Sequence, residues 1–424
     1  MMPAMPALTW LRNLLRQIWA QHPDAAQWRR LLLAVLATVG AVCLLLACAA
    51  SAPQDDLRRH LRAASAQGSF DREYPRPDYL FPLSPRLDMY TECVALGIAT
   101  QIAPAADVLL AAPTLGSCEW FKQKLALDAP QGAPYMRYWH GYQIFLKPLY
   151  AWLPIQHVRL LTACVTAALL LLLLCVLASP LGWPLAGLVT GCFFLTRSSN
   201  VFLLVTHAAQ FWLVLAGASL AVLLRRRVRP LPFFALLGAA DACLSFLNMG
   251  SLSLGLPLLC YALCLWADGR QGACLAAALF WAGIGWSLGF VAPWLIKWGA
   301  AALLLHADKA AIFNTTLEIY PTGSVWRILL ALFRNASELH WGLALALAWL
   351  LWLRKRRRHL AATPGILPAL LPGLVPILWV AILPGQSGIR HSTFINVILW
   401  PSLAAAFLWL ACLPQPGRRP RQNG

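Results

Sequence analysis

The chain has 424 residues, of which 60% are hydrophobic and only 12% are charged, and its formal net charge is +18. Such a composition excludes an ordinary soluble domain and is typical of a polytopic membrane protein. The basic residues form short clusters between apolar runs, which is the pattern of topology signals rather than of a nucleic-acid-binding surface.

The N-terminal segment, residues 1–30, predicts an amphipathic cytoplasmic helix. Within it, residues 7–20 place leucines on one helical face and Arg12 and Arg16 on the other. A twenty-residue apolar run, 31–50, predicts the first transmembrane span. About nine further spans are predicted within residues 159–412, and a basic cytoplasmic tail at 413–424 closes the chain. The predicted spans lie at 159–178, 183–197, 200–224, 231–249, 251–267, 273–296, 336–353, 364–383 and 394–412.

Loop charge predicts the orientation of these spans. Arginine runs at 225–229 and 354–358 carry almost no acidic residues, so we expect them to be cytoplasmic. The long segment 51–158 would then be extracytoplasmic. We therefore predict an all-α polytopic transmembrane helical bundle of about ten spans in the plasma (inner) membrane, with both termini cytoplasmic and a long outer loop that bears short juxtamembrane helices.

The outer loop 51–158 is far longer than a connection between two spans requires, which indicates a folded site. Its two cysteines, Cys93 and Cys118, would pair only if the loop faces an oxidising compartment, and the sequence leaves that open. The other cysteines lie within or beside apolar spans, where cysteine behaves as a small hydrophobic residue.

Two carboxylates in the loop, Asp88 and Glu92, are candidate catalytic residues. They stand four positions apart in a stretch that predicts a short helix, so both would lie on one face. Paired acids can serve as base or acid, although a solvated helix face is the simpler alternative. A second acidic pair, Asp55 and Asp56, is followed by arginines at pairing distance and predicts local salt bridges.

An aromatic cluster near the end of the loop is a candidate substrate-binding surface. It comprises Tyr138, Trp139, His140 and Tyr142, with Arg137 beside it. Aromatic rings with neighbouring cations suit a sugar or a phosphate ligand. The alternative is an interfacial aromatic belt at the membrane boundary.

Three further cationic residues, Lys297, Arg390 and His391, are predicted at the outer boundary of the membrane. There they could bind a lipid-linked phosphate, or they could simply extend towards headgroups. Asp241 lies within the predicted span 231–249, where a proton-coupled transporter would use a carboxyl group. No paired Cys-x-x-Cys motif predicts a structural metal, and no nucleotide-binding motif is present. We expect no cofactor, and leave open a catalytic divalent metal.

The layout resembles that of GT-C-type glycosyltransferases, and of multi-span membrane proteins of that type whose activity is unassigned. The resemblance lies in a first span, a long outer loop with an acidic residue, many further spans and a late outer loop that carries an arginine. Segments 138–142, 246–250 and 285–290 contribute to it. Many GT-C enzymes keep the acidic residue in an Asp-Asp or Asp-Glu pair close to the first span, whereas Asp88 stands some way beyond it.

The resemblance implies a transferase that moves a sugar from a polyprenyl-phosphate carrier to an extracytoplasmic acceptor, which is a glycan, lipid or protein. Asp88 would then act on the acceptor hydroxyl, and Arg390, His391 and Lys297 would hold the donor phosphate. Two alternatives remain: a transporter or flippase of a lipid or lipid-linked oligosaccharide, and a non-catalytic component of envelope assembly.

Overall fold

The structure is a computed structural model in which the described part of the chain is almost entirely helical. The described residues are 7–75, 87–100, 113–114, 117–127, 133–134, 138–196, 200–245, 249–304, 366–382 and 396–412. Three candidate site residues, Arg137, Arg390 and His391, lie outside these ranges, as does the predicted span 336–353.

The N-terminal region forms two helices, α1 (Ala7–Trp19) and α2 (Ala25–Ala50). The Asp24 side chain accepts a hydrogen bond from the backbone N–H of Gln27 at 2.7 Å and so caps the start of α2. Ile18 of α1 is buried against the membrane bundle. The predicted amphipathic helix therefore exists, and its apolar side packs on protein.

The loop that follows α2 has a hydrophobic core of its own. Four helices build it: α3 (Gln54–Ala66), α4 (Met89–Ala99), α5 (Cys118–Leu127) and α6 (Gln143–Trp152). A two-residue antiparallel pairing joins β1 (Pro113–Thr114) to β2 (Ala133–Pro134). Phe70 and Phe121 meet edge to face in this core, 5.1 Å apart, and Leu204 and Val205 of the bundle complete it. The loop is therefore folded directly onto the ends of membrane helices.

A disulfide joins Cys93 of α4 to Cys118 of α5. It fixes the two loop helices to each other, and the Cys118 sulfur also lies 3.2 Å from the carbonyl oxygen of Met89. The pairing of Cys93 with Cys118, which the sequence left open, is therefore present in the structure.

The remaining described helices form the membrane bundle. They are α7 (Ile155–Leu181), α8 (Trp183–Leu195), α9 (Asn200–Leu203), α10 (Val205–Leu223), α11 (Pro230–Leu244), α12 (Gly250–Ala267), α13 (Gly272–Leu304), α14 (Ile366–Leu370), a 3₁₀ turn (Leu371–Leu374), α15 (Val375–Ile382), a second 3₁₀ turn (Asn396–Leu399) and α16 (Trp400–Cys412). Within the described ranges, five helices are long and apolar enough to cross a membrane: α2, α7, α10, α12 and α13.

The predicted count of ten spans is therefore not reached by full-length helices in the described part of the chain. The predicted span 183–197 is a helix of only 13 residues, and 231–249 is one of 15 residues. The predicted span 364–383 is broken by a 3₁₀ turn that contains Pro372, because proline cannot donate the backbone hydrogen bond that an α-helix needs. At these three positions, the length of the apolar run overestimated the length of continuous helix.

Glycines bring two bundle helices into close contact. Gly285 and Gly289 of α13 face the backbone carbonyls of Leu231 and Ala235 of α11, and a Cβ atom at either glycine would collide with them. Spacing small residues four positions apart lets membrane helices approach closely and gain van der Waals contact. This packing fixes the position of the C-terminal half of α13, where Lys297 lies.

Candidate functional site

The candidate site lies where the folded loop meets the ends of α10, α11 and α13. Gln143 of α6 donates a hydrogen bond to the carbonyl oxygen of Ala95 in α4 at 2.7 Å. Lys147 of α6 donates to the carbonyl oxygen of Ala50 at the end of α2, at 3.2 Å. Burial lowers the pKa of the Lys147 ammonium group. These contacts hold the loop helices in a fixed position above the bundle.

Asp88 is the N-cap residue of α4 rather than a member of the helix. Its carboxylate accepts hydrogen bonds from the backbone N–H of Thr91 at 3.1 Å and from the Thr91 hydroxyl at 2.6 Å. The side chain is fully buried. Its backbone N–H donates to the Asn200 side-chain oxygen at 2.8 Å, which links the loop to the bundle.

The Asp88 carboxylate also contacts a histidine from a membrane helix. His207 Nε2 lies 3.2 Å from Asp88 Oδ2, within hydrogen-bonding distance, and both side chains are buried. When Nε2 carries the proton, Nδ1 is the ring nitrogen that can accept one. The pair has the arrangement by which a carboxylate orients an imidazole that serves as a base.

Glu92 occupies a different position, and its carboxylate accepts four hydrogen bonds. Its carboxylate accepts from the Tyr150 hydroxyl at 2.9 Å, from the backbone N–H groups of Val205 at 3.3 Å and Thr206 at 3.2 Å, and from the Thr206 hydroxyl. It therefore sits at the N-terminus of α10, where negative charge is favoured. This geometry favours an anchoring role for Glu92 over the predicted catalytic one.

The two acids perform separate tasks at the same end of α10. The prediction that both lie within one short helix holds for Glu92 but not for Asp88, which precedes the first turn of α4. Burial and the neighbouring Glu92 raise the pKa of the Tyr150 hydroxyl well above its ordinary value, so Tyr150 remains a donor to that carboxylate. The pKa of Tyr142 is raised in the same direction, first by burial. Both tyrosines are neutral at physiological pH.

The aromatic cluster is buried in the junction rather than facing lipid. Tyr138, Trp139, His140 and Tyr142 are at most 3% exposed. Tyr138 meets Trp294 of α13 edge to face at 5.6 Å, and His140 Nδ1 is hydrogen-bonded to the Tyr142 hydroxyl at 2.9 Å. The rings join the loop to α13, which an interfacial belt would not do.

The backbone at His140 adopts φ of +55°, in the left-handed region that few residues other than glycine occupy. The contact made by the next residue, Gly141, holds the backbone in place here. The N–H of Gly141 donates to the carbonyl oxygen of Cys243 at 2.9 Å, and a Cβ atom at position 141 would collide with that oxygen. The loop backbone therefore abuts the end of α11, and only glycine fits there.

Lys297 lies beneath this loop with its side chain fully buried. Its Nζ stands 5.7 Å from the ring centroid of Trp139, whose indole N–H donates to the carbonyl oxygen of Pro293 at 3.0 Å. Among the described residues, Nζ has no hydrogen-bond partner. A buried ammonium group without a carboxylate is costly and is stabilised by an anion.

The second acidic pair behaves as predicted. Asp56 in the first turn of α3 forms a salt bridge with Arg59 at 2.7 Å, and both side chains are substantially exposed. This confirms the predicted local salt bridge and supplies no sign of a catalytic role for Asp56.

Asp241 lies elsewhere, inside the bundle. Its carboxyl group accepts from Gln210 at 2.6 Å and from Ser253 at 2.8 Å, and Trp286 donates to the Ser253 oxygen at 3.0 Å. In the described ranges, no three histidine, cysteine or acidic side chains come together as a metal site.

His207 and Asn200 were not predicted as site residues, although both are polar residues inside apolar runs. No local pattern in the sequence joins them to Asp88, which is more than a hundred positions away. The available signal was that both lie near the predicted outer end of one span, where the loop must dock. Comparison with known proteins adds no assignment, since no family model, curated protein or solved structure matches the chain.

Proposed function

We propose that the chain is a membrane glycosyltransferase that uses a polyprenyl-phosphate-linked sugar and an extracytoplasmic acceptor. One observation carries the proposal: the folded loop places Asp88 against His207 of a membrane helix, at the bundle end where the buried Lys297 has no anionic partner among the described residues. A base and a phosphate-binding cation at one junction are the two groups that sugar transfer from a phosphate carrier requires.

In the proposed reaction, the acceptor hydroxyl gives its proton to His207 Nδ1 while Asp88 holds the imidazole through Nε2. The hydroxyl oxygen bonds to the anomeric carbon of the sugar, and the bond from that carbon to the phosphate oxygen breaks. The polyprenyl phosphate leaves with the bonding electrons, and Lys297 stabilises its charge. Arg137, Arg390 and His391 remain proposed substrate contacts from the sequence.

Transfer of radiolabelled sugar from polyprenyl-phosphate donors in proteoliposomes tests this proposal. Asp88→Asn should lower transfer by about 10² to 10⁴, the usual cost of losing general-base catalysis, while the protein stays folded. Asp56→Asn is the matched control, because it makes the same chemical change in an exposed salt bridge. Equal transfer by Asp88→Asn and wild type, at matched abundance, would refute the catalytic assignment.

The Asp241 cluster favours a second candidate, a proton-coupled transporter of a lipid or lipid-linked oligosaccharide. Its buried carboxyl group has hydroxyl and amide partners and, in the described ranges, no cationic one. A carboxyl group in that setting can exchange a proton during transport. Uptake of a lipid-linked sugar that Asp241→Asn abolishes, with no transfer by wild type, would favour this candidate.

A further inference from the structure

A cavity lies at the end of the bundle opposite the folded loop. Its volume is about 700 Å³, which is within the range of small-molecule sites. Three segments surround it: the turn before α2, the connection between α10 and α11, and the connection between α12 and α13. The positive-inside pattern predicts all three to be cytoplasmic.

The charge of the cavity lining is strongly positive. Arginines 225, 226, 227, 229 and 270 line it, together with His22, whereas Asp24 is the one acidic residue in the lining. Asp24 is already engaged as the N-cap of α2. The cavity therefore presents more positive charge than its own walls neutralise.

Only part of this charge is paired within the described residues. Arg225 and Arg226 both donate to the carboxylate of Asp268, at 2.9 to 3.3 Å, and these arginines hold the Asp268 pKa well below its ordinary value. In the same described ranges, Arg227, Arg229 and Arg270 form no salt bridge. Three guanidinium groups are thus available to a ligand.

Helix geometry adds to the positive potential. The N-termini of α2, α11 and α13, at Ala25, Pro230 and Gly272, all belong to the segments around the cavity. Each N-terminus carries the positive end of a helix dipole, although at α2 the Asp24 carboxylate already caps the first turn. Phosphate groups bind readily where helix N-termini and arginines converge.

The cavity also lies at the level expected for lipid headgroups. The rings of Trp19 and Trp28 meet Trp281 edge to face, at 5.9 and 6.3 Å, and His22 stacks on Trp19 at 5.6 Å. Trp281 is buried, but Trp19 is 59% exposed, and an exposed tryptophan beside arginines is typical of the membrane–water interface. A ligand in the cavity could therefore keep acyl chains in the bilayer.

We infer that this cavity is a binding site for a phosphate group, carried by the headgroup of an anionic phospholipid of the same leaflet. The site is separate from the loop junction, so the inference does not depend on the proposed transferase activity. Arg229 and Arg270 would contact the phosphate, and the Tyr261 side chain lies among the lining groups.

Lipid binding to the purified full chain in detergent, counted by native mass spectrometry, tests the inference with phosphatidylglycerol as the probe. Arg229→Gln/Arg270→Gln should weaken phosphatidylglycerol binding by about 30-fold, the product of about fivefold for each arginine near a lipid surface. Arg29→Gln/Arg30→Gln is the matched control: it removes the same charge from exposed arginines beside the cavity, outside its lining. That variant should bind as wild type does.

A second variant distinguishes a specific loss of binding from misfolding. Arg229→Lys/Arg270→Lys keeps the charge but loses paired hydrogen bonding, so its affinity should fall between wild type and the glutamine variant. Inorganic phosphate and glycerol phosphate at millimolar concentration separate the two sources of the ligand. Displacement of the lipid by either would support the phosphate site and assign it to a soluble ligand. Equal lipid binding by wild type, cavity variants and control would overturn the inference.

Discussion

Replacing Glu92 by alanine should release the folded loop from the membrane bundle. The substitution removes the acceptor for donors from two elements, the Tyr150 hydroxyl of α6 and the first turn of α10. Those donors are buried, so bulk water does not readily replace the lost carboxylate. The consequence is a local opening of the junction and not only the loss of one contact.

The magnitude follows from the number and burial of the hydrogen bonds. Breaking a buried charged network by removing one member costs about 3–5 kcal/mol, because the remaining groups stay desolvated. At 25 °C this raises the population of the opened junction by about 10² to 10⁴. Glu92→Gln should cost less, since its amide oxygen still accepts from the α10 N–H groups. Tyr150→Phe removes one donor and should cost about 1–1.5 kcal/mol.

Hydrogen exchange measured by mass spectrometry reports this opening directly. In the Glu92→Ala protein, the peptide that contains Val205 and Thr206 should lose protection, whereas the distant helix α12 should keep its protection. Glu119→Ala is the control, because Glu119 is exposed and its carboxylate pairs with Lys122 of the same helix. Unchanged exchange at the start of α10 in Glu92→Ala would refute the anchoring role.

Other parts of the account give three separate expectations. Gly141→Ala should lower the free energy of unfolding by about 1–3 kcal/mol, the cost of overpacking, because its Cβ meets a backbone carbonyl oxygen, and its thermal midpoint should fall accordingly. Gly187→Ala is the control: its Cβ meets open space, so its thermal midpoint should not fall. Burial, assisted by a neighbouring arginine, lowers the pKa of Lys124 to about 8, so the folded state binds fewer protons than the unfolded state above that pH. Wild-type stability should then rise from pH 8 towards pH 10.5 relative to Lys124→Met in thermal unfolding. Single-cysteine proteins Asp128→Cys and Arg356→Cys test the predicted orientation with an impermeant reagent on intact cells, and only Asp128→Cys should be labelled. Labelling of Arg356→Cys alone would contradict the predicted orientation.

The helical membrane character of the chain followed from apolar run length alone. Runs such as 155–181 and 272–304 are long enough that no other structure satisfies their backbone in a bilayer. Periodicity also predicted the short loop helix at Met89–Ala99. Span count was less predictable, because Pro372 and similar residues break helices inside runs that remain apolar.

The site was only partly predictable for a physical reason. Local spacing indicated that Asp88 and Glu92 lie close together at the start of α4, but their roles depend on partners more than a hundred positions away. Whether a buried carboxylate caps a helix or orients a histidine is set by tertiary packing. The sequence contained the polar residues of α10 without indicating which acid each would meet.

The most direct test of the proposed site separates donor binding from chemistry. Binding of a polyprenyl phosphate to the purified protein is measured for wild type, Lys297→Met and Asp88→Asn, beside the transfer rate at saturating donor. Lys297→Met should weaken binding about 10- to 100-fold, the cost of losing a hydrogen bond to a charged group. Asp88→Asn should bind as wild type does and lose transfer. Wild-type affinity in Lys297→Met would contradict the account.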